Sequence, residues 1–399
     1  METQVAEKQS LTGFTGLPSP WLALGALGLA YLLFSLFPYL AAAFSPSEPP
    51  ALANKDFANY WAAGQLIRSG ETSDLFGPHE NYFRHLQGFF GQDYPWHNWS
   101  YPPHFLLALW PLGYVSFEWG ALLFLAVTFA LYLWALRSFA GPAVLFSFTA
   151  ALPFAAHNVR TAQNGFLSGA LILGALSLRR TRPVVAGILL GCLTFKPQLG
   201  VLFPFLLLFE RNWVMIASTA MTAATLIAAS AAAFGMEAWS GYVYQVLPYQ
   251  SLVMRELTGP FISMMTSPFG YGRVLGLTAG NALLVHAAAA LPVLLIAIVA
   301  FWRLRDDTLR AVILIAATLL VTPYALSYDY GAAAVAIGVI AHRSLSAASL
   351  RLAMLLFAAI VPMIAVAAGG IYFPAAQLAL LGLFALALSD GKVRQSSRT

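Results

Sequence analysis

The sequence predicts an all-α polytopic membrane protein: about 12 transmembrane helices and a large first loop on the outer side. Three observations carry this. The 399 residues are 59% hydrophobic and only 9% charged, where soluble domains carry roughly 25% charged residues. Mean hydropathy is +0.73. Apolar runs long enough to cross a bilayer, or to reach deep into it, recur along the whole chain. All of 1–399 therefore reads as one integral membrane domain, with outer loops at 44–117 and 235–280.

The candidate spans are 21–43, 118–136, 142–157, 165–178, 183–195, 197–209, 213–234, 281–301, 309–324, 329–342, 350–369 and 371–388. Met1 to Pro20 contains both signs of charge, and the run that follows exceeds a signal-peptide core, so it reads as a first spanning helix. With the N-terminus inside, 14 of the 21 Lys and Arg fall on the inner side, anchored by Arg179-Arg180-Thr181-Arg182 and by Arg303 and Arg305. That topology constrains two stretches. Tyr101 to Ser116 is short and broken by Pro102, Pro103 and Pro111, so it reads as a re-entrant or interfacial element. Pro183 to Phe209 splits at Lys196-Pro197, because a single span there would invert every later arginine cluster. In the first outer loop, Phe57 to Arg68 and His79 to Phe90 have helical, amphipathic spacing.

The net charge of +5 follows from inner-side Lys and Arg and gives no reason to expect nucleic acid as a partner. Cys192 is the only cysteine, so a disulfide and a cysteine-ligated metal are excluded. The seven histidines lack the spacing of a tight metal site and no Asp-X-Asp pair occurs, so no metal and no cofactor is expected. Walker, GxSxG and dinucleotide-binding patterns are also absent.

Four polar constellations fall on the outer side. They are Asp56 with Tyr60 and Trp61; His157 to Asn164, which includes Arg160 and Gln163; Lys196 with Gln198; and Tyr328 with Asp329. Polar residues in apolar helices mark a site or an ion path. Asp56 is either a general base for a hydroxyl or the cap of the helix starting at Phe57. Lys196 either binds a phosphate as a point charge or snorkels. Arg160, Gln163 and Asn164 either add donors to that phosphate or sugar, or form a plain loop. Asp329 either orients a sugar or pairs with Lys196 or Arg160. His157 and His104 are polar candidates whose bland reading is a structural partner. Tyr60, Trp61 and Tyr101 offer flat faces for a sugar ring or belong to an interfacial belt.

Asp56-Phe57-Ala58-Asn59-Tyr60-Trp61-Ala62-Ala63-Gly64, then Tyr101-Pro102-Pro103, Gln163-Asn164 and Lys196-Pro197-Gln198 together resemble bacterial family-87 glycosyltransferases of the GT-C superfamily. Polyprenyl-phosphate-mannose-dependent α-mannosyltransferases belong to that family. The resemblance runs from about residue 50 to 330. It implies a catalytic aspartate in the first outer loop, which lands on Asp56. It also implies a polyprenyl-phosphate sugar donor, a lipid-linked or glycan acceptor among the membrane lipids, and inverting transfer without metal. The location implied is a bacterial inner membrane with a periplasmic active site. Where the family has Gly-Gln-X-Asn, this chain has Thr161-Ala162-Gln163-Asn164. Its late Ser-Pro motif ending in Tyr-Asp corresponds to Thr322-Pro323 and Tyr328-Asp329. A transporter or flippase of a lipid-linked sugar is the competing reading of the same charges, and a non-catalytic assembly subunit is the third.

Overall fold

Backbone amides cannot be satisfied by lipid, so an apolar run of this kind must bond within itself as helix. In the computed structural model, which describes residues 17, 19–47, 50, 52, 53, 55–256, 262, 264–343, 355, 358 and 373–396, the described elements are helical, with no strand among them. One isolated bridge joins Met265 and Leu326. The span expected at 350–369 lies outside the described residues.

The helices used below are α1 (Ser19–Phe44), α2 (Phe57–Ser69), α3 (His79–Phe90), α4 (Phe117–Ala140), α5 (Val144–Thr161), α6 (Gly165–Leu178), α7 (Pro183–Cys192), α8 (Phe203–Phe209), α9 (Trp213–Phe234), α10 (Leu247–Glu256), α11 (Pro268–Val274), α12 (Ala279–Arg303), α13 (Asp307–Val321), α14 (Gly331–Arg343) and α15 (Phe373–Ser396). Ser19–Phe44, the continuous stretch Phe117–Thr161, Trp213–Phe234 and Ala279–Arg303 are long and apolar enough to cross a membrane. Phe117–Thr161 is a hairpin and not one rod. It reverses at Gly141, whose φ is +51°, and this sets the Tyr132 ring 5.6 Å from that of Phe154.

Burial sorts the helices into two shells. Most residues of α5, α6, α13 and α14 are buried. By contrast α1, α9 and α12 leave large apolar residues uncovered, among them Phe34, Phe37, Met221, Leu284 and Trp302. A helix that is apolar all round and exposed is one made for lipid. The central helices touch through small residues: α14 packs on α5, where a Cβ on Gly338 would collide with the Ser147 backbone. Close backbone approach of this kind is how helices gain contact without a hydrophobic drive between them.

The charges separate to the two ends. At one end, buried Glu210 faces Arg179 at 3.4 Å, Arg180 at 3.2 Å and Arg310 at 3.7 Å, and Arg343 meets Asp306 at 3.0 Å. These residues lie on the connections that alternate-helix counting places inside. At the other end, α2, α3 and a string of short helical turns, Pro103–Phe105, Leu106–Leu109 and Trp110–Tyr114, form a cap. The string covers about 18 Å even if fully helical, too short for the bilayer core. It seats on α2 where Gly113 and Gly64 meet backbone to backbone. Pro183 to Phe209 is broken as well: α7 stops at Cys192, short turns run through Lys196 and Pro197, and α8 begins at Phe203.

Gly113→Ala should lower the unfolding midpoint, at a cost of about 1–3 kcal/mol for forced overpacking. Gly280→Ala, where the added methyl meets nothing, should leave it unchanged or raise it. Thermal unfolding of the purified variants reads both; equal midpoints would deny the close approach of the cap.

Candidate active site

Asp56 sits at the start of α2 but does not cap it: its backbone is αR and its side chain makes no bond to the helix N-terminus. The cap alternative therefore falls away. The Gln163 side chain lies beside the carboxylate instead and favours its charged form. Although part of Asp56 stays accessible, protein hems in its carboxyl, and burial raises its pKa above the ordinary carboxylate value. Gln163 opposes that rise, followed by the charges of His97, Lys196 and Lys55. Lys196 therefore lies close enough for its field to reach Asp56.

Gln163 and Asn164 occupy a tight turn between α5 and α6. Ala162 takes a left-handed φ of +51° to end α5. Asn158 then clamps the turn, donating to the Gln163 carbonyl at 3.1 Å and accepting from Gly165 N at 3.0 Å. Gly165 has no room for a side chain, because a Cβ would run into the Tyr328 carbonyl. The turn carrying Gln163 is thereby locked to the turn carrying Asp329.

The hydrogen bonds around this turn have one direction. Asn164 Nδ2 donates to the Tyr101 hydroxyl at 2.9 Å. Tyr60 donates its single hydroxyl proton to Gln163 Oε1 at 2.7 Å. The Tyr60–Tyr101 contact at 2.9 Å must then be donated by Tyr101, since each phenol has one proton. Asn164, Tyr101, Tyr60 and Gln163 thus form a chain in which every donor points toward the Gln163 side chain, which lies beside Asp56. Burial holds the Tyr60 and Tyr101 phenols well above their ordinary pKa, so both keep the proton that the chain needs.

On the facing side, Lys196 donates to Asp329 Oδ1 at 2.7 Å, with both side chains buried. The ammonium lies 4.6 Å from the centre of the Tyr328 ring. The two chain breaks meet here: Thr322 Oγ1 donates to the Gln198 carbonyl at 3.2 Å, and His157 Nε2 contacts Ser327 Oγ at 2.9 Å. An apolar groove of about 550 Å3 runs between α7, α8 and α9; Thr194 and Pro197, close to Lys196 in the chain, are in its wall, and neither Lys196 nor Asp329 lines it.

Of the residues singled out from sequence, Asp56, Tyr60, Tyr101, Gln163, Asn164, Lys196, Tyr328 and Asp329 come together. The others do not join them through their side chains. Trp61 donates to the Val115 carbonyl at 3.0 Å and packs on Phe89, Phe90 and Phe117, so it is core. His104 stacks on Trp239 and contacts Thr194, and burial lowers its pKa to about 4. His157 braces the Ser327 turn. Gln198 contributes its backbone carbonyl. Arg160, expected beside Lys196, instead acts through its charge on Tyr31 of α1 and on Lys55. A side chain in the last turn of a helix leans back toward that helix's N-terminus. Sequence reasoning did not single out Lys55, and it took Asn158 only as a member of the His157 to Asn164 constellation. Lys55 adjoins the singled-out carboxylate and was the available signal. Among the described residues no group of three or more His, Cys, Asp or Glu could hold a metal.

An apolar helical bundle with a polarised carboxylate and a buried ion pair at one end defines an integral membrane protein with an enclosed polar site. Glycosyltransferase family 87 matches residues 99–323, more than half of the chain. The chain belongs to that family and is a glycosyltransferase. The match takes in Tyr101, Gln163, Asn164 and Lys196; Asp56, Tyr60 and Asp329 lie outside it. No curated protein and no solved structure is significantly similar to the chain.

Lys196→Met should destabilise the protein by about 3–5 kcal/mol, because Asp329 is left buried without its counter-charge. Lys196→Met combined with Asp329→Leu should recover most of that loss. Unfolding midpoints in detergent decide; a double variant no more stable than the single one would contradict the pairing.

Proposed function

We propose that the protein moves a hexose, mannose in the first instance, from a polyprenyl-phosphate donor to a hydroxyl of a lipid or glycan acceptor. The membrane is a bacterial inner membrane, with the site on the periplasmic side and the Arg179–Arg310 cluster on the cytoplasmic side. The observation that carries this reading is the buried Lys196–Asp329 pair at the same end of an apolar bundle as Asp56, whose carboxyl feels the Lys196 charge.

The step is a single displacement with inversion, without metal. Asp56 takes the acceptor proton as the acceptor oxygen bonds to C1 of the sugar. The bond from C1 to the phosphate oxygen breaks, and the electron pair leaves with polyprenyl phosphate. Lys196 spends one N–H on Asp329, and its remaining donors are available to the leaving phosphate. The groove beside Thr194 and Pro197 has the size and apolarity to take the first isoprene units of the donor. The donor chain from Asn164 to Gln163 keeps the Asp56 carboxylate aimed without adding charge. The raised pKa makes it a stronger base than an exposed aspartate.

Asp56→Asn should reduce transfer from a polyprenyl-phosphate sugar by roughly 100- to 10,000-fold, the size of a general-base contribution. Product detection by mass spectrometry tests it, and near-normal turnover would remove Asp56 from the chemistry. The pH profile gives a second check. A base with a raised pKa loses activity as pH falls through that value, so the acid limb of kcat/KM should lie above the ordinary carboxylate range. Gln163→Met withdraws a donor that favours the anion, so the limb should move to higher pH. A limb that stays in place, or moves down, would contradict the role of Gln163.

A further inference from the structure

Asp329 pairs with Lys196 and also borders a small internal cavity of about 10 Å3, room for the centre of one water-sized body. Four parts of the bundle meet around it. Ile172 of α6, Leu199 from the break after α7, Leu314 of α13 and Ala332 of α14 are in its wall. Leu199 belongs to the turn that carries Lys196, and its N–H donates to the Lys196 carbonyl at 3.0 Å. Every residue of the wall is buried. The polar members of that wall are Asp329 and Thr318 alone. Asp329 accepts from Lys196 through Oδ1. Its Oδ2 and the Thr318 Oγ1 are buried without a hydrogen-bond partner in the protein.

A buried carboxylate offers about four lone-pair directions. An ion pair offsets the desolvation of its charges only where further bonds fill the remaining ones. Lys196 fills one, on Oδ1. Thr318 has a proton to give but makes no bond to Oδ2. A neutral body that accepts from Thr318 and donates to Asp329 satisfies both oxygens, and water does this with the polar partners that a buried water needs. A monovalent cation of similar size does not. It would set a second positive charge beside Lys196 against one carboxylate, inside a wall that is otherwise apolar, and leave a buried charge uncompensated.

We propose that this cavity is a site for one water, bridging Thr318 Oγ1 and Asp329 Oδ2, and that Thr318 is thereby a positioning residue for Lys196. The bridge carries part of the Asp329 charge. Lys196 can then lean toward an incoming phosphate without stranding the carboxylate. The phosphate enters through the transferase reading; the water site does not depend on it.

Two measurements on the purified full-length protein in detergent test it. Thr318→Val keeps the shape of the side chain and removes the hydroxyl. A hydroxyl buried without a partner costs stability, so its removal from a dry site would hold or raise the unfolding midpoint. Removal from a bridged site should lower it, and this is the expected result, with the same midpoints in NaCl and in KCl. The second measurement compares binding of farnesyl phosphate with that of farnesol, at a temperature where every variant is folded. Thr318→Val should weaken farnesyl phosphate about fivefold, the worth of one ordinary hydrogen bond, and leave farnesol unchanged. Thr318→Ser keeps the hydroxyl and should bind farnesyl phosphate like the parent, even where the lost methyl lowers its midpoint. A midpoint that holds or rises in Thr318→Val would overturn the water. A midpoint raised by Na+ and not by K+ would make the occupant a cation and overturn it as well. Unchanged farnesyl phosphate affinity in Thr318→Val would remove the positioning role. A parent protein that binds farnesol as tightly as farnesyl phosphate would retire the donor reading instead, and the midpoints would still decide the water.

Discussion

An ammonium and a carboxylate inside an apolar bundle persist only because they face each other, and the arrangement at this end of the protein follows from that. Burying either alone costs several kcal/mol, which the mutual attraction and further bonds must offset. Lys196 stands at the break between α7 and α8, and Asp329 in the connection from α13 to α14. Neither stretch is regular helix, and non-helical backbone at such depth survives only inside protein. The pair draws the two breaks together. Side chains then satisfy the freed carbonyls: Thr322 serves Gln198, Thr266 serves Ala325 and Ser267 serves Pro323.

A preorganised polar site grows out of this junction. Tyr328, next to Asp329, has its carbonyl against Gly165, and Gly165 continues the turn that bears Gln163 and Asn164. The same ion pair that closes the bundle therefore also positions the donor chain ending at Gln163, beside Asp56. Neutral groups do the aiming, so the carboxylate is oriented without a cation bonded to it. Fixed dipoles of this kind need not reorganise as charge develops, which is the main source of electrostatic catalysis.

Much of this was legible in the residues alone. The loop helices, expected at Phe57 to Arg68 and His79 to Phe90 and found at Phe57–Ser69 and His79–Phe90, followed from apolar spacing. The break at Lys196-Pro197 followed from a proline beside a charge and from the arginine count. What the sequence did not show depends on helix rotation and on side-chain direction. Trp61 is three residues before Gly64 on the same helix, yet its ring turns to Val115 and into the core. Arg160 shares a loop with Gln163, but α5 still holds it, and its charge acts on Tyr31 of α1. Asn158 read as one polar residue among several; its clamp on Gln163 and Gly165 exists only once α5 and α6 are folded together. The family resemblance added the carboxylate's role, which periodicity could not supply.

The central claim is that one chamber holds the reacting sugar between Asp56 and Lys196. The most direct measurement is an electron cryo-microscopy structure of the full chain with a polyprenyl phosphonate sugar, whose C–P bond cannot be cleaved. The account predicts the anomeric carbon beside the Asp56 carboxylate, the phosphonate on Lys196 and the lipid chain in the groove lined by Thr194 and Pro197. A phosphonate bound away from Lys196, or a sugar out of reach of Asp56, would contradict it.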